Sequence, residues 1–190
     1  MTDRAAADID LIEQYLGGDV GAFDELMRAH EDRVFAICLR MLRDREQALD
    51  ATQETFLTVF RKVDRYRAQA AFSTWLYRVA VNACYDHLRR TRRHQADPLP
   101  DRLDPVDVTS GDAYTAVELR PDIETALAEI APEFRAAVVL VDLEGLALET
   151  VAELLGVPVG TVKSRVFRGR RQLASHLGNL RAVREHPMDE

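Results

Sequence analysis

Cysteine is nearly absent: 190 residues hold only Cys38 and Cys84, each inside an apolar helical pattern. That speaks against a disulfide scaffold and for buried, reduced thiols. Cys84 and His87 stand three apart on one helix face, but two ligands without a second pair make a poor zinc site. Aromatics are scarce at 7% against 30% charged residues, a balance that favours helical packing over a sandwich or barrel. Residues 1–10 include Asp3, Arg4, Asp8 and Asp10 and so lack the apolar centre of a signal peptide, and no later run approaches a membrane span. A cytoplasmic chain without membrane insertion is expected. Also missing are a glycine-rich phosphate loop, a nucleophile beside a histidine motif and metal-spaced ligand pairs, so neither catalysis nor a cofactor is indicated.

Positive charge is not in excess either, since the net charge is −7. Its distribution is informative. Residues 78–93 hold Arg78, Arg89, Arg90, Arg92 and Arg93 against Asp86 alone, and residues 161–176 hold Lys163, Arg165, Arg168, Arg170 and Arg171 with no acid. Two basic helices in an acidic body imply two separate phosphate-contacting surfaces.

With 47% hydrophobic residues a folded core is available, and its pattern is helical throughout. A short stripe (Leu11, Ile12, Tyr15, Leu16) stops at Gly17-Gly18, and Asp19 can cap a long helix carrying Phe23, Leu26, Met27, His30, Val34, Ile37, Cys38, Met41 and Leu42 at three- and four-residue steps. A helix capped by Asp44 is expected to turn Ala48, Phe56, Leu57, Val59, Phe60 and Val63 mostly inward and Glu46, Asp50, Gln53 and Glu54 outward. Residues 64–72 read as a loop, with Ser73 as N-cap of a helix that ends in Arg89-Arg90-Thr91-Arg92-Arg93. Between 94 and 120, Pro98, Pro100, Pro105, Ser110 and Gly111 accompany six acids against two arginines, an extended acidic linker. The expected division is therefore a helical domain over 1–93, a linker over 94–120, a second helical domain over 121–178 and a tail over 179–190.

The second domain contains the most specific local signal. Residues 148–155 and 159–173 read as two short helices joined by Gly156-Val157-Pro158, a helix-turn-helix whose second helix suits a major groove. Gly156 supplies a left-handed backbone and Pro158 presets the next helix. With Val162 and Val166 inward, Lys163, Ser164, Phe167, Arg168 and Arg171 face out, the residue types that reach guanine edges or thymine methyls. Arg165 and Arg170 flank that face, better placed for phosphates.

Four segments, in order, decide among the many proteins that carry such a motif: Asp50-Ala-Thr-Gln-Glu-Thr-Phe56, Phe72-Ser-Thr-Trp-Leu-Tyr-Arg-Val-Ala-Val-Asn82, Asp142-Leu-Glu-Gly145 and Val159-Gly-Thr-Val-Lys-Ser-Arg165. Together they resemble the signatures of the extracytoplasmic-function (group 4) sigma factors of the sigma-70 family, over about residues 20–176. The resemblance implies an all-α protein of two helical domains, sigma domain 2 and sigma domain 4, and a non-enzymatic role as promoter-specificity subunit of core RNA polymerase. It implies that Asp50, Gln53 and Glu54 bind the clamp coiled coil of the largest subunit, with a further contact to the flap. It implies that Arg65, Tyr66, Arg67, Phe72, Trp75, Arg78, Asn82, Arg89 and Arg90 open and hold the minus-ten element of promoter DNA, where stacking surfaces and cations suit single strands. Tyr77 belongs to the same aromatic set. Thr161, Lys163, Ser164, Arg165, Phe167, Arg168 and Arg171 are implied to read the minus-thirty-five element. The linker would run through the RNA exit path, and an anti-sigma factor would mask the polymerase surfaces.

Ala147 departs from the family, which commonly has Ser or Thr there to cap the first helix of the motif; the segment Ala68-Gln69-Ala70-Ala71 is less polar than usual and leaves minus-ten preference open. The rival reading is a stand-alone helix-turn-helix regulator, which gives no reason for the basic, aromatic helix over 73–93.

Overall fold

A computed structural model describes residues 3–68, 70–96 and 121–185. These are helical and fall into two compact units, whose division lies between 97 and 120, outside the described residues, as does most of the expected acidic linker. The first unit comprises α1 (Asp3–Leu16), α2 (Val20–Leu42), α3 (Arg45–Lys62), a 3-10 turn (Val63–Arg65) and α4 (Phe72–Ala96). The second comprises α5 (Pro121–Ala128), α6 (Pro132–Val138) continued by a π-helical turn (Val139–Leu143), α7 (Leu148–Leu155) and α8 (Val159–Glu185). Helix α4 runs three residues past the expected boundary at 93, and α8 continues beyond 178, because nothing in either basic stretch breaks a helix.

Both predicted aspartate caps form. Asp19 accepts from the Gly21 amide at 2.9 Å and Asp44 from the Gln47 amide at 2.9 Å, which satisfies exposed donors of the first turns of α2 and α3. Ser73 does not cap α4. That helix starts one residue earlier, at Phe72, and the Ala71 carbonyl accepts from Thr74 and Trp75.

The expected inward face of α2 is buried apart from half-buried Met27, with Leu26, Val34, Ile37 and Cys38 completely enclosed. Helix α3 departs from expectation: Leu57 and Phe60 are each 53% exposed, and the buried side is Ala48, Ala51, Thr52, Thr55 and Val59. Small residues let α3 approach α2 and α4 closely. The two threonine hydroxyls enter the interior at little cost because each donates to the carbonyl four residues back, Ala48 and Ala51, at 2.7 Å. Cys38 and Cys84 are free, buried and adjoining; hydrogen bonding between them and burial hold the Cys84 thiol well above its ordinary range. Among the described residues no group of three or more His, Cys, Asp or Glu side chains is arranged to hold a metal ion, and no helix is long and apolar enough to cross a membrane.

In the second unit Leu127, Ile130 and Val138 form one cluster of the core, with Ile123, Phe134, Leu143 and Leu173 packed on it. Buried Arg135 ties α5 to α6 by donating to the carbonyls of Ala128 and Ile130, both at 3.0 Å. The helix-turn-helix turn is the expected one: Gly156 adopts φ 64°, ψ 36°, and its amide closes α7 onto Ala152. Ala147 occupies the N-cap of α7 with extended backbone and no side-chain cap. Ala147→Ser is therefore expected to stabilise the second unit by roughly 0.5–2 kcal/mol, read as a rise in its urea midpoint followed by hydrogen exchange.

Candidate promoter and polymerase surfaces

The candidate recognition face of α8 is arranged as its periodicity requires. Val162 and Val166 are buried, while Lys163, Ser164, Arg168 and Arg171 are exposed and Phe167 is 69% exposed. An aromatic ring so bare on a basic helix is not a core residue. Thr161 and Arg165 are half-buried at the edge of this face, and the Ser164 hydroxyl donates to the Thr161 carbonyl at 2.9 Å, which leaves its oxygen able to accept. The Arg168 guanidinium lies 5.9 Å from the centre of the Phe134 ring, a cation–π contact that limits its wandering.

Arg170 departs from expectation. Its Nε donates to Asp142 Oδ2 at 3.0 Å and its Nη2 to Oδ1, so the guanidinium is committed to the π-helical turn. This pairing links α8 to the turn before α7 and leaves Arg165 as the flanking candidate for a phosphate. No sequence spacing announces a partnership 28 residues apart.

The minus-ten candidates separate into a stripe, a core residue and a bridge. Trp75, Arg78, Asn82 and Arg89 recur at three-, four- and seven-residue steps along one side of α4, Arg78, Asn82 and Arg89 exposed and Trp75 half-buried. From Trp75 to Arg89 the helix rises about 21 Å, enough for several nucleotides rather than one base. Arg65 and Arg67 are exposed beside its N-terminal end; Arg67 donates to the Asp64 carbonyl at 3.3 Å, and Arg89 pairs with Asp86. Phe72 must be corrected. At 1% exposure its ring lies in the core, meeting His30, Tyr66 and Trp75 at centroid distances of 5.4, 5.7 and 5.8 Å, so it supports the aromatic surface instead of presenting one. Tyr77 is likewise buried at 2%, under Arg33. Half-buried Tyr66, 5.6 Å from Trp75 and donating its hydroxyl to the Ala70 carbonyl at 2.6 Å, is left to form that surface with Trp75.

Arg90 forms the bridge. It leaves the α4 stripe for α3 and donates to Glu54 Oε1 at 3.2 Å, while the other Glu54 oxygen lies 3.4 Å from Nε2 of buried His87. A candidate polymerase contact and a candidate DNA contact are thus one ion pair, with side chains 42% and 56% exposed and worth little by itself in stability. Asp50 and Gln53 remain exposed on α3, and Leu57, one turn further, adds an apolar centre to the same face. The pattern of α3 concealed Leu57, because its apolar positions outnumber those its small-residue face can bury.

Residues 26–94 match the family Sigma-70 region 2, and residues 120–173 match Sigma-70, region 4. The chain is 40% identical over 174 residues to the ECF RNA polymerase sigma factor SigM of Mycobacterium tuberculosis (strain ATCC 25618 / H37Rv), covering 92% of this chain and 86% of that one. The chain is an extracytoplasmic-function sigma factor. It is also 43% identical over 159 residues to the ECF RNA polymerase sigma factor SigE of Mycolicibacterium smegmatis, covering 82% of this sigma factor but only 62% of that relative's length. Among solved structures, the sigma factor RpoE in complex with the anti-sigma factor NepR from Bartonella quintana is similar with a TM-score of 0.68 and 25% identity, over 84% of this sigma factor and 98% of that chain. CnrH in complex with the cytosolic domain of CnrY has a TM-score of 0.65 at 22% identity, over 91% and 98%, and shares the fold. Region 2 thus spans most of α2 through α4, and region 4 spans α5 through most of α8.

Proposed function

We propose that this sigma factor docks on core RNA polymerase through the α3 face of Asp50, Gln53, Glu54 and Leu57, and reads promoters with two separate surfaces. Acceptors at three- and four-residue spacing suit a basic partner helix, here the clamp coiled coil of the largest subunit; region 4 meets the flap. The exposed face of α8 reads the duplex of the minus-thirty-five element, with Arg168 and Lys163 towards guanine edges, Ser164 as a versatile partner and Phe167 on thymine methyls. The α4 stripe with Tyr66 holds the separated strand of the minus-ten element, where stacking offsets the few kcal/mol lost when a base leaves the duplex. The protein is not an enzyme; it works in the cytoplasm, where it selects and opens the site at which polymerase reacts. An anti-sigma factor, as in the complex of the Bartonella relative, masks the α3 face, and the acidic segment before α5 follows the RNA exit path.

The observation that carries this reading is the pairing, in one chain, of a duplex-reading helix with a second, aromatic and basic helix; a stand-alone regulator has no use for the latter. The test is transcription in vitro with core polymerase on a promoter library. Initiation should depend on the sigma factor, Asp50→Ala should weaken association with polymerase, and Arg168→Ala should cost about 1–3 kcal/mol of upstream-element discrimination. Tight binding to promoter duplex unaided, with no initiation, would establish the rival regulator instead.

A further inference from the structure

Helix α1 lies outside the matched family regions, yet it reaches the minus-ten surface through buried polar chemistry. Asp8 is 4% exposed and His30 2% exposed, and His30 Nε2 stands 2.9 Å from Asp8 Oδ1. Arg4, one turn before Asp8, donates to the Ala29 carbonyl beside His30. Burial lowers the pKa of His30, and the Asp8 carboxylate only partly offsets that, so the ring is neutral near pH 7. A neutral imidazole has one N–H. A carboxylate has none, so Nε2 carries the proton and donates to Asp8, while buried Nδ1, which has no hydrogen-bond partner, keeps a lone pair. The hydrogen bond fixes the plane of the ring. The ring meets Phe72 at 65°, and Phe72 in turn meets Tyr66 at 87° and Trp75 at 49°. The Tyr66 phenol is pushed above its usual range by burial and, second, by the charge of Asp8.

We infer that Asp8 and His30 are positioning residues for promoter opening: α1 holds the His30 ring, His30 props Phe72, and Phe72 sets Tyr66 and Trp75 at the angle at which displaced bases stack. This rests on the proposed role of Tyr66 and Trp75 in holding the separated strand. Its chemistry is local to the α1, α2 and α4 junction; the α3 face that meets polymerase takes no part. Opening and polymerase binding should therefore respond differently to the loss of Asp8. Removing the acceptor leaves a buried N–H unsatisfied and frees the ring to turn.

The experiment compares Asp8→Ala and Asp8→Asn as full-length chains with core polymerase, on the template that the wild-type protein uses best in the library. Affinity for polymerase and permanganate reactivity of thymines in the opened element are both measured. Asp8→Ala should lower thymine reactivity roughly fivefold or more while changing polymerase affinity less than about twofold, and Asp8→Asn, whose amide oxygen still accepts from Nε2, should recover most of the opening. Unchanged opening in Asp8→Ala overturns the inference. So does a parallel loss of opening and polymerase affinity, because that is the mark of a damaged fold. So does failure of Asp8→Asn to restore opening. If the wild-type protein itself neither binds polymerase nor opens any template, the functional reading fails instead, a result separate from all three.

Discussion

Phe72→Ala is expected to destabilise the first unit by about 3–5 kcal/mol, the cost of deleting a fully buried aromatic ring and leaving a cavity. That is a large share of the 5–15 kcal/mol by which domains are usually stable, so the variant should unfold at a much lower urea concentration. The protein carries its own reporter, since its single tryptophan, Trp75, has its ring centre 5.8 Å from that of Phe72. Urea titration followed by tryptophan fluorescence therefore reads this unit directly. A residue that served only to stack on a base would leave the midpoint where it was. An unchanged midpoint would return Phe72 to the DNA surface and remove the prop between His30 and Tyr66.

In the second unit the largest expected effect comes from Gly169, in the middle of the recognition helix. A methyl group there would stand 2.5 Å from Val138 Cγ2 and 3.1 Å from the Phe134 carbonyl oxygen of α6. The side chain has some room to yield; the carbonyl, held in its helix, does not. Alanine would recover about 0.5–1 kcal/mol of helix propensity over glycine, and overpacking of this kind costs about 1–3 kcal/mol, so the clash wins. Gly169→Val, with two more methyl groups and little propensity gain, should lose roughly 2–3 kcal/mol. Hydrogen exchange of amides in α6 and α8 measures it. Adding Val138→Ala to Gly169→Val should cost less than the sum of the two single changes, because one of the two clashes is relieved; strict additivity would mean that α6 and α8 do not meet at this glycine.

Both residues illustrate where the sequence was legible and where it was not. The outward face of α8 followed directly from Val162 and Val166, because a helix with an apolar stripe on one side has only one orientation on its core. The caps at Asp19 and Asp44 and the left-handed Gly156 were equally legible, since each depends on residues within four positions of itself. Helix α3 was misread in part because its largest apolar residues, Leu57 and Phe60, do not join its buried face. Ala48, Ala51 and Val59 form it together with Thr52 and Thr55, whose hydroxyls are satisfied within their own helix and so can be buried where the neighbour must come close. Phe72 was misread because an aromatic ring at the start of a helix looks the same in sequence whether it points at a base or at a histidine 42 residues earlier.

The order of apolar, capping and basic residues along the chain, through the geometry of a 3.6-residue turn, was enough to determine two helical units, a helix-turn-helix and the side of α8 that faces outward. Tertiary structure alone decided which charges remain available: Arg170 is held by Asp142, Arg90 by Glu54, and Asp8 by His30, over separations of 28, 36 and 22 residues. Periodicity reports which side of a helix is buried, but an ion pair between two helices depends on how they cross, and that is fixed only when the whole core packs.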